Sequence, residues 1–138
     1  MEKRFVNPET VAPPVGSYSH AVTLDVGEAT LIFVSGQIAI DREGRLIGAG
    51  DMARQAEQVF ENIKAILEAN GATMHDIVKA NTYLTDVSQR PALAEVRNRY
   101  FEGHAPASTL VEVSRLALEG LLIEVEVTAA VARRQPGD

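Results

Sequence analysis

DMARQAEQVFENIKAILEANG, residues 51 to 71, is the stretch whose reading decides the fold. Met52, Ala56, Val59, Phe60, Ile63, Ile66 and Leu67 recur at spacings of three and four, the period that lines one face of a helix. Asp51 stands where a side-chain oxygen can accept from the first free N–H groups, and Asn70-Gly71 supplies a left-handed stop. The helix needs an apolar surface to lie on, and the segments around it read as strands.

Upstream, YSHAVTLDV and TLIFVSGQIAI read as a hairpin turning at Gly27-Glu28, after NPETVAPPVG, which is too rich in Pro and Gly for a regular element. Residues 30 to 34 are continuously apolar, which suggests burial on both faces, and DREGRL around Gly44 reads as a second turn. Downstream, DIVKANTYLT reads as a strand. A second helix follows, with Ser88 as its expected cap, Pro91 in its first turn and Leu93, Val96, Tyr100 and Phe101 facing inward. STLVEV and LLIEVEVTAAVA close the chain as strands. In the last, Ile123, Val125 and Val127 alternate with Glu124, Glu126 and Thr128, so one face is apolar and the other carries two carboxylates.

The resulting order, ββ(β)αβαββ, implies an α+β domain in which two helices pack on one face of a mixed β-sheet. At 138 residues with 46% hydrophobic content, a single domain over 1–138 is expected, with residues 133–138, RRQPGD, as a loose C-terminal tail. The uncovered sheet face makes self-association the economical arrangement.

Composition narrows the function. A net charge of −6 with no block of Lys and Arg argues against nucleic acid as a partner. No run of about 18 apolar residues marks a membrane span, and the N-terminus lacks the apolar core of a signal peptide, so a cytoplasmic protein is expected. The absence of Cys removes thiolate nucleophiles, thiolate metal sites and disulfides, and suits a reducing compartment.

Several segments together resemble one family. GSYSHAV, LIFVSGQIAID, QVFENIKAILEANGATMHDIVKANTYLTD and PASTLVEVSRL with LIEVEVTAAV, in that order over nearly the whole chain, look like the Rid family, also called the YjgF or reactive intermediate deaminase family. The resemblance implies a chorismate-mutase-like fold assembled as a homotrimer around a barrel-like core, with three clefts between neighbouring subunits. It also implies hydrolysis of enamines and imines to carbonyl compounds and ammonia without cofactor or metal, as in a 2-iminobutanoate/2-iminopropanoate deaminase. Such intermediates are already reactive, so a site need only hold the substrate, orient one water and move protons.

The resemblance assigns site residues position by position. Tyr18 matches a cleft-facing tyrosine, although Ser17 stands where the family usually has Pro; its bland alternative is an ordinary strand tyrosine at a rim. Ser35 and Gly36 match an SG pair whose backbone approaches the ligand, against which stands a simple bulge. Glu124 matches the glutamate that orients the attacking water, and a carboxylate among apolar neighbours has a raised pKa suited to proton transfer. Its alternative, like that of Glu126, is a solvated face or an interface ion pair.

The chain departs from the deaminating branch at Ser108, where the motif Pro-Ala-Arg reads Pro106-Ala107-Ser108. A serine offers neither the charge nor the two-pronged donor with which that arginine clamps a carboxylate. Ser108 and Thr109 therefore suggest altered substrate choice. Arg97, at a helical position commonly Asn in that branch, is the candidate replacement; otherwise it is a surface arginine paired with Glu95 or Glu102. His20 and His104 are candidate cleft residues, while His75 reads as a turn residue, and the spacing of the three fits no metal motif. The main alternative is a non-catalytic, metabolite-binding or regulatory trimer. The endoribonuclease activity attached to some relatives fits poorly with the acidic charge.

Overall fold

The computed structural model describes residues 1–134. Its elements, in order, are β1 (Lys3–Val6), β2 (Ala21–Val26), β3 (Ala29–Ile38), α1 (Met52–Ala69), β4 (Ile77–Leu84), α2 (Arg90–Phe101), β5 (Ala107–Glu112) and β6 (Ile123–Ala132). The helix read from residues 51 to 71 forms as its pattern requires. Asp51 accepts from the Arg54 N–H at 3.1 Å, and Gly71 adopts φ 77° just past the end. All seven periodic residues are buried.

Two polar residues share that inward face because each replaces water with three hydrogen bonds or contacts of fixed geometry. The fully buried Gln55 donates to the carbonyls of Gly48 (3.1 Å) and Gly120 (2.9 Å) and accepts from the Leu122 N–H at 2.8 Å. Asn62 donates to the Ile38 and Ile40 carbonyls at 3.1 and 3.0 Å while accepting from Gln58 at 2.9 Å. The two side chains thereby pin the exit of β3 and the approach to β6 onto one helix.

The strands form one mixed sheet in the order β1-β2-β3-β6-β4-β5, antiparallel except for the β4–β5 pair. Chain order explains the mixture. Each helix returns the chain to start a strand in the same sense, and β6 arrives last, running the other way between β3 and β4. Both helices cover one face, where Ile32, Val34, Ala80, Leu84, Ile123, Val125, Val127 and Ala129 meet α1 and α2 in a single core centred on Phe60. The Phe60 ring lies 5.4 Å from that of Tyr100 and 5.8 Å, edge on, from that of Phe101.

Three local expectations change. The strand β1 lies in a segment that carries no strand pattern of its own; it forms because Lys3 to Val6 add to the edge of β2. Ser88 does not cap α2. It sits in a short 3-10 turn, residues 87–89, where Asp86 accepts from its N–H at 3.0 Å, and α2 then starts at Arg90 with Pro91 in its first turn. The apolar run at 30 to 34 is buried on the helix side only, leaving Phe33 43% exposed on the open face.

Of the expected tail, Arg133 is tied down. Its N–H donates to the Glu28 carbonyl at 2.7 Å and its guanidinium stands 3.7 Å from Asp25. Residues 135–138 of that tail lie outside the described residues. Among the described residues, no helix is long and apolar enough to cross a membrane.

Candidate functional site

The alternation of β6 sends Glu124 and Glu126 to the open face, and the register of the sheet decides what they meet. Glu124 lies opposite Ile38 on β3 and Tyr83 on β4, next to the irregularity between Val34 and Gln37 that contains Ser35 and Gly36. A Cβ built at Gly36 would run into the Glu124 carboxylate, with Cδ at 2.9 Å. With no Cβ at position 36 this carboxylate can lie against the backbone, a reason more specific than the absence of a side chain near a ligand.

Glu124 has no hydrogen-bond partner among the described residues. Burial raises its pKa above the usual carboxylate range, and the neighbouring charge of Glu126 adds to the effect. Glu126 is placed differently. Its Oε1 accepts from the Tyr83 hydroxyl at 2.7 Å and from Asn81 Nδ2 at 3.0 Å.

A shallow recess beside Gly36 is lined by Tyr18 and His20 before β2, Gln37 after the bulge and Asn62 of α1. Ser35 holds its wall together. Its hydroxyl donates to the Ser19 carbonyl at 2.5 Å and its N–H to the His20 carbonyl at 2.8 Å, so this side chain positions the Tyr18 loop. Tyr18 is 46% exposed and its hydroxyl oxygen accepts from the Val15 N–H at 3.3 Å, which leaves its own proton available to donate. His20 is only 4% exposed, with Nδ1 buried and unpartnered. Burial lowers its pKa, against a smaller opposing effect of the Ala12 backbone, so the ring is held neutral at physiological pH.

Ser108 and Thr109 part company. Ser108 registers with Ala80 on β4, which is buried under the helices, whereas Thr109 registers with Asn81 on the open face, where Lys79 Nζ stands 3.5 Å from its hydroxyl. Arg97 reaches down from α2 and donates through Nη2 to the Ser108 hydroxyl at 2.7 Å, with its guanidinium 5.0 Å above the centre of the Phe101 ring. It does not pair with Glu95 or Glu102. Ser108 is therefore touched by a guanidinium supplied from the helix.

Within one chain these features make two groups. Tyr18, His20, Ser35, Gly36 and Glu124 gather at the bulge of β3, while Arg97 and Ser108 lie at the β5 edge, three strand spacings or about 14 Å away across the sheet. His104 joins neither. Its Nε2 lies 2.6 Å from the Ile77 carbonyl, and its ring stacks on Phe101 at 6.3 Å and faces His75 at 5.7 Å. Among the described residues, no group of three or more His, Asp or Glu side chains could hold a metal ion.

Asn81 and Tyr83 are parts of the carboxylate cluster that the sequence reading did not single out. Their signal was present, since two polar residues two positions apart on a strand share a face, but only the pairing of β4 with β6 shows that this face carries the glutamates.

Comparison with known proteins agrees with this architecture. Residues 9–131 match the family model described as Endoribonuclease L-PSP. The chain is 43% identical to a RutC family protein of Pyrococcus abyssi over 129 residues, 94% of this chain and 98% of that one. It is 33% identical to a 2-iminobutanoate/2-iminopropanoate deaminase of Dermatophagoides farinae over 124 residues, 90% of this chain and 93% of the relative. Its fold superposes with a TM-score of 0.84 on the crystal structure of a Rid-family protein of unknown function from Yersinia pestis, at 32% identity, covering 94% of this chain and all of the other. With the α+β sheet arranged as the resemblance implies, the chain belongs to the YjgF/Rid family.

Proposed function

We propose that the protein is a cytoplasmic, cofactor-independent hydrolase that converts a small reactive enamine or imine to a carbonyl compound and ammonia, in clefts between the subunits of a homotrimer. The observation that carries this reading is Glu124, an unpaired carboxylate half withdrawn from water and seated on a glycine made to receive it. The naming of relatives as imine deaminases supports it at the level of the family.

The chemistry follows from the residues. An enamine first tautomerises to its imine. As a water oxygen bonds to the imine carbon, Glu124 takes the water's proton and the imine nitrogen takes one from solvent. Return of the proton from Glu124 to the amino group of the carbinolamine, with loss of the hydroxyl proton to solvent, lets ammonia leave and forms the carbonyl. Burial suits Glu124 to both directions of transfer, because a carboxyl whose pKa is raised toward neutrality gives and takes a proton at small cost. Tyr18, with a free hydroxyl proton at the same recess, is placed to donate to the substrate or the water.

Substrate binding is assigned to Arg97 and Ser108 at the β5 edge, brought opposite Gly36 and Glu124 by a second subunit; Thr109, on the other face of β5, is left out of that clamp. Arg97 uses one Nη on Ser108 and forms no ion pair among the described residues, which leaves donors for an anionic group. The clamp differs in reach and angle from an arginine rooted on the strand itself, so the preferred imines differ from those of the deaminating branch. A second reading, a trimer that binds a metabolite without turnover, draws on the same observation, because the strand position that clamps substrate in the deaminating branch holds Ser108.

Imines generated in place by an amino-acid oxidase and trapped with semicarbazide separate the two. A hydrolase diverts imine to keto acid and ammonia and lowers the trapped yield. An unchanged yield with acidic, apolar and basic imines alike, from a folded oligomer, overturns the deaminase reading and favours the binding one.

A further inference from the structure

The two glutamates of β6 are chemically alike and structurally unlike. They lie two residues apart on one face, yet Glu126 is held by two donors and Glu124 by none. The register is diagonal. Tyr83 lies opposite Glu124 and Asn81 opposite Glu126, so the Tyr83 hydroxyl reaches past its own partner to bond the next carboxylate along. Both donors converge on the same oxygen, Oε1.

We propose that Tyr83 and Asn81 hold Glu126 as a fixed negative charge beside Glu124, a positioning unit that makes Glu124 the carboxyl that exchanges its proton. This rests on the reading of Glu124 as the proton-transfer group. Paired carboxyls do separate work only when their surroundings differ, and here the difference is two hydrogen bonds. Tyr83 is a dependable anchor because the Glu126 carboxylate, followed by burial and the charge of Glu124, raises its phenol further above ordinary pH, keeping the proton it donates. The charge of Glu126 in turn supports the protonated form of Glu124.

The groups facing Glu124 are few. From its own strand comes Glu126 and from β4 comes Tyr83; Ser35, Gly36 and Gln37 on β3 carry no titratable group, and Tyr18 and His20 stand at the recess before β2. Within its own chain Glu126 is therefore the charge whose removal should be felt; across the proposed cleft the Arg97 guanidinium of the neighbouring subunit opposes it, and does so in wild type and variants alike.

Titration of the Glu124 side-chain carboxyl by carbon-13 NMR in the full chain tests this without requiring turnover. In Glu126→Gln the Glu124 midpoint falls by about half a pH unit, the size expected for unit charges about 7 Å apart at a wet surface. In Tyr83→Phe, which frees Glu126 to swing into solvent, it falls by less, and the acid limb of any imine turnover moves the same way. An unmoved midpoint in Glu126→Gln overturns the coupling, and an unmoved midpoint in Tyr83→Phe overturns the anchoring. A wild-type chain that hydrolyses no imine while showing both shifts would sink the deaminase reading and leave the coupling standing.

Discussion

At the scale of single residues, Gly36 leaves room for the Glu124 carboxylate to lie against the backbone. Because a methyl group at position 36 meets the carboxylate rather than backbone, Gly36→Ala should leave the fold intact and swing Glu124 off its seat. Turnover of imine should fall by on the order of 10²-fold, the scale of a misplaced general base, while the melting temperature moves by only a few degrees. A double-mutant cycle supplies the control. In the Glu124→Ala background the carboxylate is already gone, so adding Gly36→Ala should cost almost nothing more; two fully additive losses would show that Gly36 acts through something else. Both members of this pair were singled out in the sequence, Glu124 by strand alternation together with the family resemblance and Gly36 by the SG pair of that resemblance. What could not be read was that each explains the other, since the bulge that brings them together depends on the pairing of β3 with β6, which places residues 36 and 124, 88 positions apart in the chain, side by side.

At the scale of elements, legibility followed the range of the interactions. The helix α1 was plain because its pattern and its caps are local. The strand β1 was not, since it is four residues of mixed character held by one neighbour and by the ion pair of Arg4 with Asp25, two bonds of 3.1 and 3.0 Å. Asp25 also accepts from the Thr30 hydroxyl at 2.7 Å and faces Arg133, so it joins β1, the β2–β3 hairpin and the end of β6. Arg4 above all, then Thr30, holds its carboxyl down to about 2. A carboxyl with a lowered folded value stabilises the fold above its unfolded value, about 3.9, and loses that contribution as pH falls toward its folded one. Asp25→Asn should therefore be less stable than wild type at pH 6, with the difference in denaturant midpoint shrinking between about pH 4 and pH 2. Hydrogen exchange at pH 6 should show β1 amides losing protection before those of β3. A stability gap that stays constant down to pH 2 would remove Asp25 from this role.

At the scale of the whole molecule, one chain keeps two groups of candidate site residues apart and leaves one sheet face uncovered. Phe5, Phe33 and Val111 stay exposed on the side of the sheet away from the helices, a surface that a chain of net charge −6 does not need for solubility and that a trimer would cover. The bulge half, with Gly36 and Glu124, and the edge half, with Arg97 and Ser108, lie too far apart in one chain to grip one small substrate, and this separation was invisible in a linear motif comparison that treated them as one constellation. If neighbouring subunits supply opposite halves, defects in different halves should complement. Glu124→Gln and Arg97→Ala chains, each inactive alone, are unfolded together in denaturant and refolded as a mixture. Random assembly then builds roughly a quarter of the clefts with an intact Glu124 from one subunit and an intact Arg97 from the next, and imine turnover returns to about that fraction of wild type. Mixing the same two folded proteins without denaturant should restore activity only as fast as subunits exchange. Refolded mixtures that form oligomers of mixed composition by native mass spectrometry yet stay as inactive as their parents would show that the two halves do not meet across a subunit boundary.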